Sequence, residues 1–381
     1  MDLDHTPEEE ELRAEARDWL ASHVPASALP SLETSEGFAA HRSWEATLHA
    51  DRWSVVTWPV RHGGRGADLF QWLAFEEEYY AAGAPARVSQ NGISLLAPTL
   101  YSFGTPEQQD RILPPMASAE VVWAQAWSEP EAGSDLAALR SRAVRTTGGW
   151  LLYGQKTWSS RAAFADRAFG LFRSDPEADP AHRGLTYLMF DLRAPEVTVR
   201  PIGRLDGKPA FAELFLDGVF VPDRDVIGEP GQGWRIAMSA TGDERGLTLR
   251  SPGRYLASAR RLRALWAHRA DPTDTALADR VSDALVGARA YQLHTWANAS
   301  RLAAGENIGA ESSLNKVFWS EFDIALHETA LDLLGPAAER VDSEWTQSWI
   351  FALAGPLYAG TNEIQRDIIA ERLLGLPKGR R

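Results

Sequence analysis

The chain has no cysteine among its 381 residues. That single absence excludes disulfide scaffolds, Cys-ligated zinc, iron–sulfur clusters and thiol catalysis. Lysine is scarce too: only Lys156, Lys208, Lys316 and Lys378 stand among 39 basic residues, which reads as codon bias rather than a functional signal. No apolar run approaches the roughly 20 residues that a membrane span needs. Clustered basic patches are missing, and 52 acidic side chains leave a formal net charge of −13, which argues against a nucleic-acid partner. Nine histidines lie at no metal-ligand spacing, and His327-Glu328 lacks the second histidine of a zinc-protease helix, so no metal is expected. No G-x-G-x-x-G follows a strand pattern and no P-loop exists, which removes the Rossmann and NTPase readings. The first residues are acidic, from Met1-Asp2-Leu3-Asp4 through Glu8 to Glu11, unlike a signal or transit peptide. Together these exclusions predict a soluble, cytoplasmic protein.

What is present organises into three blocks. The length exceeds what one core usually serves, and 44% apolar residues suit a globular chain of two or three domains. Residues 1–120 read as helical. Thr6-Pro7-Glu8-Glu9 offers a cap, Leu12, Ala16, Trp19 and Leu20 share a face, and Leu69, Trp72, Leu73 and Tyr80 line a second helix. Thr105-Pro106-Glu107-Gln108 repeats the cap. Residues 121–230 change to a period of two, with strand patterns at 142–146, 150–153, 168–173, 185–192, 197–202 and 212–221 that predict an antiparallel barrel or sandwich. Residues 231–381 return to helical spacing, with long patterns over 275–304 and 308–334. A last helix capped by Thr361 is expected to turn Ile364, Ile368, Ile369 and Leu373 inward.

Three features carry candidate chemistry. The loop Ser128-Glu129-Pro130-Glu131-Ala132-Gly133-Ser134-Asp135 has small residues and free amides suited to an anion or a planar polar ring, or is a capped turn. Gly154-Gln155-Lys156-Thr157-Trp158-Ser159-Ser160 places an indole and hydroxyls at a strand end. Glu244 shares a helical face with Ala237, Ala240, Thr241 and Leu247, where a carboxylate either pairs with a cation such as Arg245 or faces a dry cavity as a base. Ser313-Leu314-Asn315-Lys316 matches S-x-x-K but lacks its partner motifs and reads as coincidence.

Taken together, these segments resemble the acyl-CoA dehydrogenase family. Residues 125–135 and 154–160 resemble its two flavin signatures, and Tyr358-Ala359-Gly360-Thr361-Asn362-Glu363-Ile364-Gln365-Arg366 resembles its C-terminal signature. The resemblance implies a helical N-terminal domain (1–120), a central antiparallel β domain (121–230) and a C-terminal four-helix bundle (231–381). It implies FAD as cofactor, held by Gln125, Trp127, Ser128, Ser134, Trp158, Ser160, Thr361 and Glu363. The implied substrate is an acyl thioester of coenzyme A or an acyl carrier protein, met by Ser134, Asp243, Arg245, Ala359 and Gly360. Its α,β-dehydrogenation gives a trans-2-enoyl product. Where many members carry a basic glutamate, this chain has Ala359; a second branch carries it on the helix after the β block, at Glu244.

The resemblance also implies partners: an electron-transferring flavoprotein as acceptor, and a homotetramer or heterotetramer. Two segments that members usually offer a neighbouring subunit's FAD are eroded here, to His268-Arg269-Ala270-Asp271-Pro272 and Leu334-Gly335-Pro336. Similar erosion occurs in a subgroup that acts on bulky acyl-CoAs, including sterol side chains, and shares flavin and base between paired chains. Alternatives are therefore a half-site subunit, or an oxidase or flavin monooxygenase on the same fold.

Overall fold

A computed structural model of the chain describes residues 5–245, 251–269, 271, 273–306 and 308–378, with the side chains of 240–245 outside the description. The first helices are α1 (Pro7–His23), α2 (Ser35–Ala50), α3 (Leu69–Ala81), α4 (Ala97–Phe103) and α5 (Pro106–Ala117). Capping chemistry fixes their starts. Thr6 accepts from the Glu9 amide while the Glu9 carboxylate accepts from the Thr6 amide, and Thr105 with Gln108 repeats the reciprocal cap. Strands follow: β1 (Trp123–Ala126), β2 (Arg142–Thr146), β3 (Gly149–Ser160), β4 (Arg167–Arg173), β5 (Leu185–Asp191), β6 (Val197–Ile202), β7 (Phe211–Pro222) and β8 (Val226–Ile227). The chain then returns to helix in α6 (Gly233–Arg245), α7 (Pro252–Arg269), α8 (Thr275–Ala303), α9 (Ser312–Leu334), α10 (Glu344–Ala352) and α11 (Asn362–Ile368).

The fold divides into two compact units that do not follow the three sequence blocks. Residues 27–66 and 85–243 form one; residues up to 26, 67–84 and from 244 onward form the other. In the first, the sheet runs β6-β7-β3-β2-β4-β5-β8, with β1 beside β4. It is mostly antiparallel, but β1–β4 and β2–β4 are parallel, and no pairing of β6 with β8 closes it among the described residues. Parallel neighbours need long crossover connections, which strand periodicity does not reveal. Strands β4 and β5 bury both faces. Phe169, Leu171, Leu185, Tyr187 and Met189 join one apolar cluster with α4 and α5, while Ala168, Phe172, Leu188 and Phe190 join the other with Phe38.

Two bulges re-aim the β3–β7 pair. Between Leu152/Val219 and Tyr153/Asp217 the partner strand gains Gly218, at φ 81°, and the inward set switches from Ala212, Leu214 and Leu216 to Val219 and Val221. Between Lys156/Leu214 and Ser159/Ala212 the extra residue lies on β3, where Trp158 has φ 59°.

In the other unit, α7, α8 and α9 share a core of Tyr255, Ala259, Leu262, Val281, Ala288, Tyr291, Trp319 and Leu326. Helix α3 packs on α7 and α1 on α3, so two N-terminal helices complete the C-terminal bundle. Glu78 of α3 accepts from Arg13 and, bidentately, from Arg17 of α1 at 2.9–3.1 Å. Burial pushes the Glu78 carboxyl up, but the two guanidinium groups outweigh it and hold it below the usual range. Buried Asp323 of α9 accepts from Arg254 of α7 at 2.7 Å.

Two expected faces differ. Trp19 is only half-buried and stacks on His23, one turn further along the same helix, at 4.1 Å between centroids. In α11 the buried residues are polar Asn362 and Gln365, while Ile364, Ile368 and Ile369 are half-buried and Leu373 is exposed. The polar pair wins the inside because Lys316 and Ser320 donate to Asn362 Oδ1 at 2.7 and 3.1 Å, and Gln365 donates to the Ala359 carbonyl at 3.2 Å.

Candidate functional site

The two flavin-like segments meet within the sheet unit. Gln125 lies in β1 beside Phe169 of β4, half-buried. After β1 the chain leaves the sheet at Trp127, which is buried and edge-on to Tyr187 at 6.1 Å between centroids. The Ser128 carbonyl then accepts from the Thr157 amide of β3 at 2.9 Å, joining the first segment directly to the second. Ser128 is half-buried and Ser134 exposed.

The group that organises this junction is Lys156, inside the second segment between Gln155 and Thr157. Its side chain is fully buried. Its ammonium donates to the Trp127 carbonyl (3.2 Å), Glu129 Oε1 (2.8 Å) and the Leu171 carbonyl (2.8 Å), so all three protons are used. Glu129 in turn accepts from the Arg140 and Ser141 amides at 2.6 and 2.9 Å, pinning the far end of the loop. Burial pulls the Lys156 ammonium down to about 8, with Glu129 limiting the fall. Burial also pushes the Glu129 carboxyl up, but Lys156 and the two amides outweigh it and keep it below the usual range. The scarcity of lysine was the available signal: Lys156 and Lys316, two of four, have no exposed surface.

Beyond Lys156 the β3 bulge turns Trp158 outward. Its indole is 58% exposed, touching Phe211 edge-on, and its backbone holds a left-handed conformation that a bulky residue adopts only at a cost. Gly154 has φ 137°, and a Cβ there would stand 2.3 Å from Ser141 Oγ, so the strand and the loop end touch through this glycine. Ser160 is half-buried. These residues fit a planar polar ring. An exposed aromatic face is held out by the backbone, the Trp127 indole nitrogen is buried without a hydrogen-bond partner among the described residues, and small hydroxyl residues flank both.

The remaining candidates lie apart from this junction in sequence. Thr361 caps α11 by accepting from the Ile364 amide at 3.3 Å. Glu363 in its first turn is exposed, and its own amide and the Thr361 hydroxyl hold its carboxyl below the usual range. Ala359 (φ 55°) and Gly360 (φ 80°) form a left-handed turn before it. Lys316 of the S-x-x-K match is thus a support for the C-terminal signature, through Asn362. Asp243, Glu244 and Arg245 lie at the end of α6; their side chains lie outside the described residues.

Comparison with known proteins gives three consecutive matches to family models. They are the acyl-CoA dehydrogenase N-terminal domain over residues 6–120, the middle domain over 124–219 and the C-terminal domain over 231–374. Acyl-CoA dehydrogenase IpdE1 of Mycobacterium tuberculosis is 37% identical across 97% of this chain and 98% of its own. The chain belongs to the acyl-CoA dehydrogenase family. Its Mycolicibacterium smegmatis relative of the same name is 36% identical, again over 97% and 98%. Among solved structures, the Tcur3481-Tcur3483 steroid ACAD matches with a TM-score of 0.89 at 28% identity, covering all of both chains. The ChsE4-ChsE5 complex from Mycobacterium tuberculosis matches at 0.86 and 29%, also over all of both. Family membership makes this chain an FAD-dependent oxidoreductase acting on a CH–CH group. No helix among the described residues is long and apolar enough to cross a membrane.

Proposed function

We propose that the chain dehydrogenates a bulky acyl-CoA, with Glu244 as base and FAD held against the β1–β3 junction. The observation that carries the flavin placement is the pair of joined segments, Trp127–Ser128 and Thr157–Trp158, with one indole buried and the other held outward. FAD, when bound, supplies a planar electron acceptor for the hydride that leaves Cβ. The protein's own task is then proton transfer and positioning. A carboxylate at Glu244 takes the Cα proton as the Cα–Cβ double bond forms, and a dry setting keeps it basic. Trp158 and Trp127 offer flat apolar walls, and Ser134 and Ser160 offer hydroxyls for polar edges. Thr361 and Glu363 are proposed for the FAD phosphate and adenine end, and Asp243, Arg245, Ala359 and Gly360 for the thioester. We also propose electron-transferring flavoprotein as acceptor and keep 1–120, 121–230 and 231–381 as domain boundaries.

A second reading rests on the eroded segments 268–272 and 334–336, together with relatives whose names pair two different chains. In it this chain is one half of a heterotetramer whose partner completes the flavin site. The visible spectrum of the chain purified alone, recorded anaerobically before and after addition of acyl-CoAs that include steroid side-chain thioesters, separates the two. A flavin band bleached by substrate supports the self-sufficient enzyme. A colourless protein rejects it in favour of the paired one, and a band that no acyl-CoA bleaches rejects the dehydrogenase reading of this chain alone.

A further inference from the structure

Lys156 and Glu129 form a buried ion pair that the proposed reaction leaves without a task. Neither is exposed enough to meet substrate, and a buried pair contributes little net stability, since its desolvation offsets its attraction. Its placement is informative instead. One ammonium touches the carbonyl of Trp127, the carbonyl of Leu171 in β4 and the carboxylate of Glu129, and that carboxylate reaches the amides of residues 140 and 141. A single pair thus ties both ends of the loop 127–141 to β3 two residues before Trp158. The choice of lysine fits this geometry: a compact tetrahedral head donates in three diverging directions, which a planar guanidinium cannot do in the same space. In a chain that uses arginine at nearly every other basic position, the ammonium is kept where three acceptors converge.

We propose that Lys156 and Glu129 are positioning residues for the flavin: the pair locks the segment bearing Trp127, Ser128 and Ser134 to the strand bearing Trp158 and Ser160, so that both meet the ring as one rigid body. The inference rests on the flavin placement proposed above. The charged group that faces the ammonium among the described residues is Glu129; β4 contributes the Leu171 carbonyl and the Phe172 ring, 4.8 Å away.

The test compares the wild-type chain with Lys156→Met/Glu129→Leu, which removes both charges and keeps apolar bulk, and with Glu129→Gln, which keeps the shape. Two quantities are read: amide hydrogen exchange across residues 127–141 in the cofactor-free protein, and FAD affinity by quenching of flavin fluorescence. The double variant is expected to fold with a lowered melting temperature, because the Trp127 carbonyl and the Arg140 and Ser141 amides lose their side-chain partners, to exchange the loop at least tenfold faster, and to bind FAD at least tenfold more weakly. Glu129→Gln should move both in the same direction by less. Faster loop exchange with unchanged FAD affinity in the folded double variant would overturn the proposal, because a purely structural pair predicts that result, and wild-type loop protection would overturn the lock itself. If the wild-type chain binds no FAD, the flavin placement fails for this chain alone, while the exchange comparison still decides whether the pair locks the loop.

Discussion

Trp158 combines a cost with a use. A tryptophan at φ 59° with most of its ring in solvent adds strain without burial, which a stability argument alone does not explain. Trp158→Gly should therefore leave the melting temperature unchanged or raise it, while FAD binding weakens; a loss of both together would mean the ring is a structural plug. Glu244→Gln should keep bound flavin yet slow its reduction by acyl-CoA about 10²–10⁴-fold, the usual contribution of a positioned base, as stopped-flow bleaching would show. Single residues were unevenly legible in the sequence. The signature tryptophans and serines stood out because their neighbours formed motifs. Lys156 and Glu129 sat inside the same motifs unread, since pairing a strand lysine with a loop glutamate 27 positions away requires knowing that β3 returns beside the loop.

At the scale of elements, the β3–β7 ladder carries the site's geometry through its two extra residues. Gly218→Ala puts a Cβ in ordinary contact with Tyr153 at 3.4 Å, so its cost is mainly the left-handed backbone, about 1–2 kcal/mol. Gly154→Ala meets Ser141 at 2.3 Å from Oγ and 2.8 Å from Cα, so it should destabilise by more and loosen the loop as well. Urea unfolding of the two variants tests that order. Asp323→Ala strands the Arg254 guanidinium between α7 and α9, with an expected loss of about 3 kcal/mol in the same measurement. Element boundaries were readable where a cap announced them, as at Thr6, Thr105 and Thr361. The inward face of α11 was not, because Asn362 finds buried partners on α9 and Gln365 in the turn before the helix, which no periodicity can reveal.

For the whole molecule, pH acts on the two sides of neutrality in different ways. Glu78, Glu129 and Asp206, the last paired with Arg204 at 2.7 Å, all hold their carboxyls below the usual range, so the unfolded chain binds more protons than the folded one in acid. Their stabilisation is complete above the ordinary carboxylate range and falls as pH drops through their depressed values, which a melting series from pH 7 to 3 should trace. On the alkaline side Lys156, lowered to about 8, loses its proton before an unfolded lysine does. Its deprotonation therefore favours the folded state as pH rises from about 8 to about 10, even though one loop hydrogen bond is lost. FAD affinity should weaken above pH 8 without an accompanying drop in melting temperature from this group.

The threading of the chain through its two units has a consequence for biosynthesis. Residues 27–66 and 85–243 can assemble around the sheet as soon as they leave the ribosome, but α1 and α3, made early, belong with helices that begin after residue 244. Until α7 is translated, the face of α3 that packs on α7 has no permanent neighbour, and a chain interrupted near residue 243 carries a finished sheet and two helices whose bundle is not yet made. Nascent-chain proteolysis should find α1 and α3 protected last, although they are among the first elements to be synthesised.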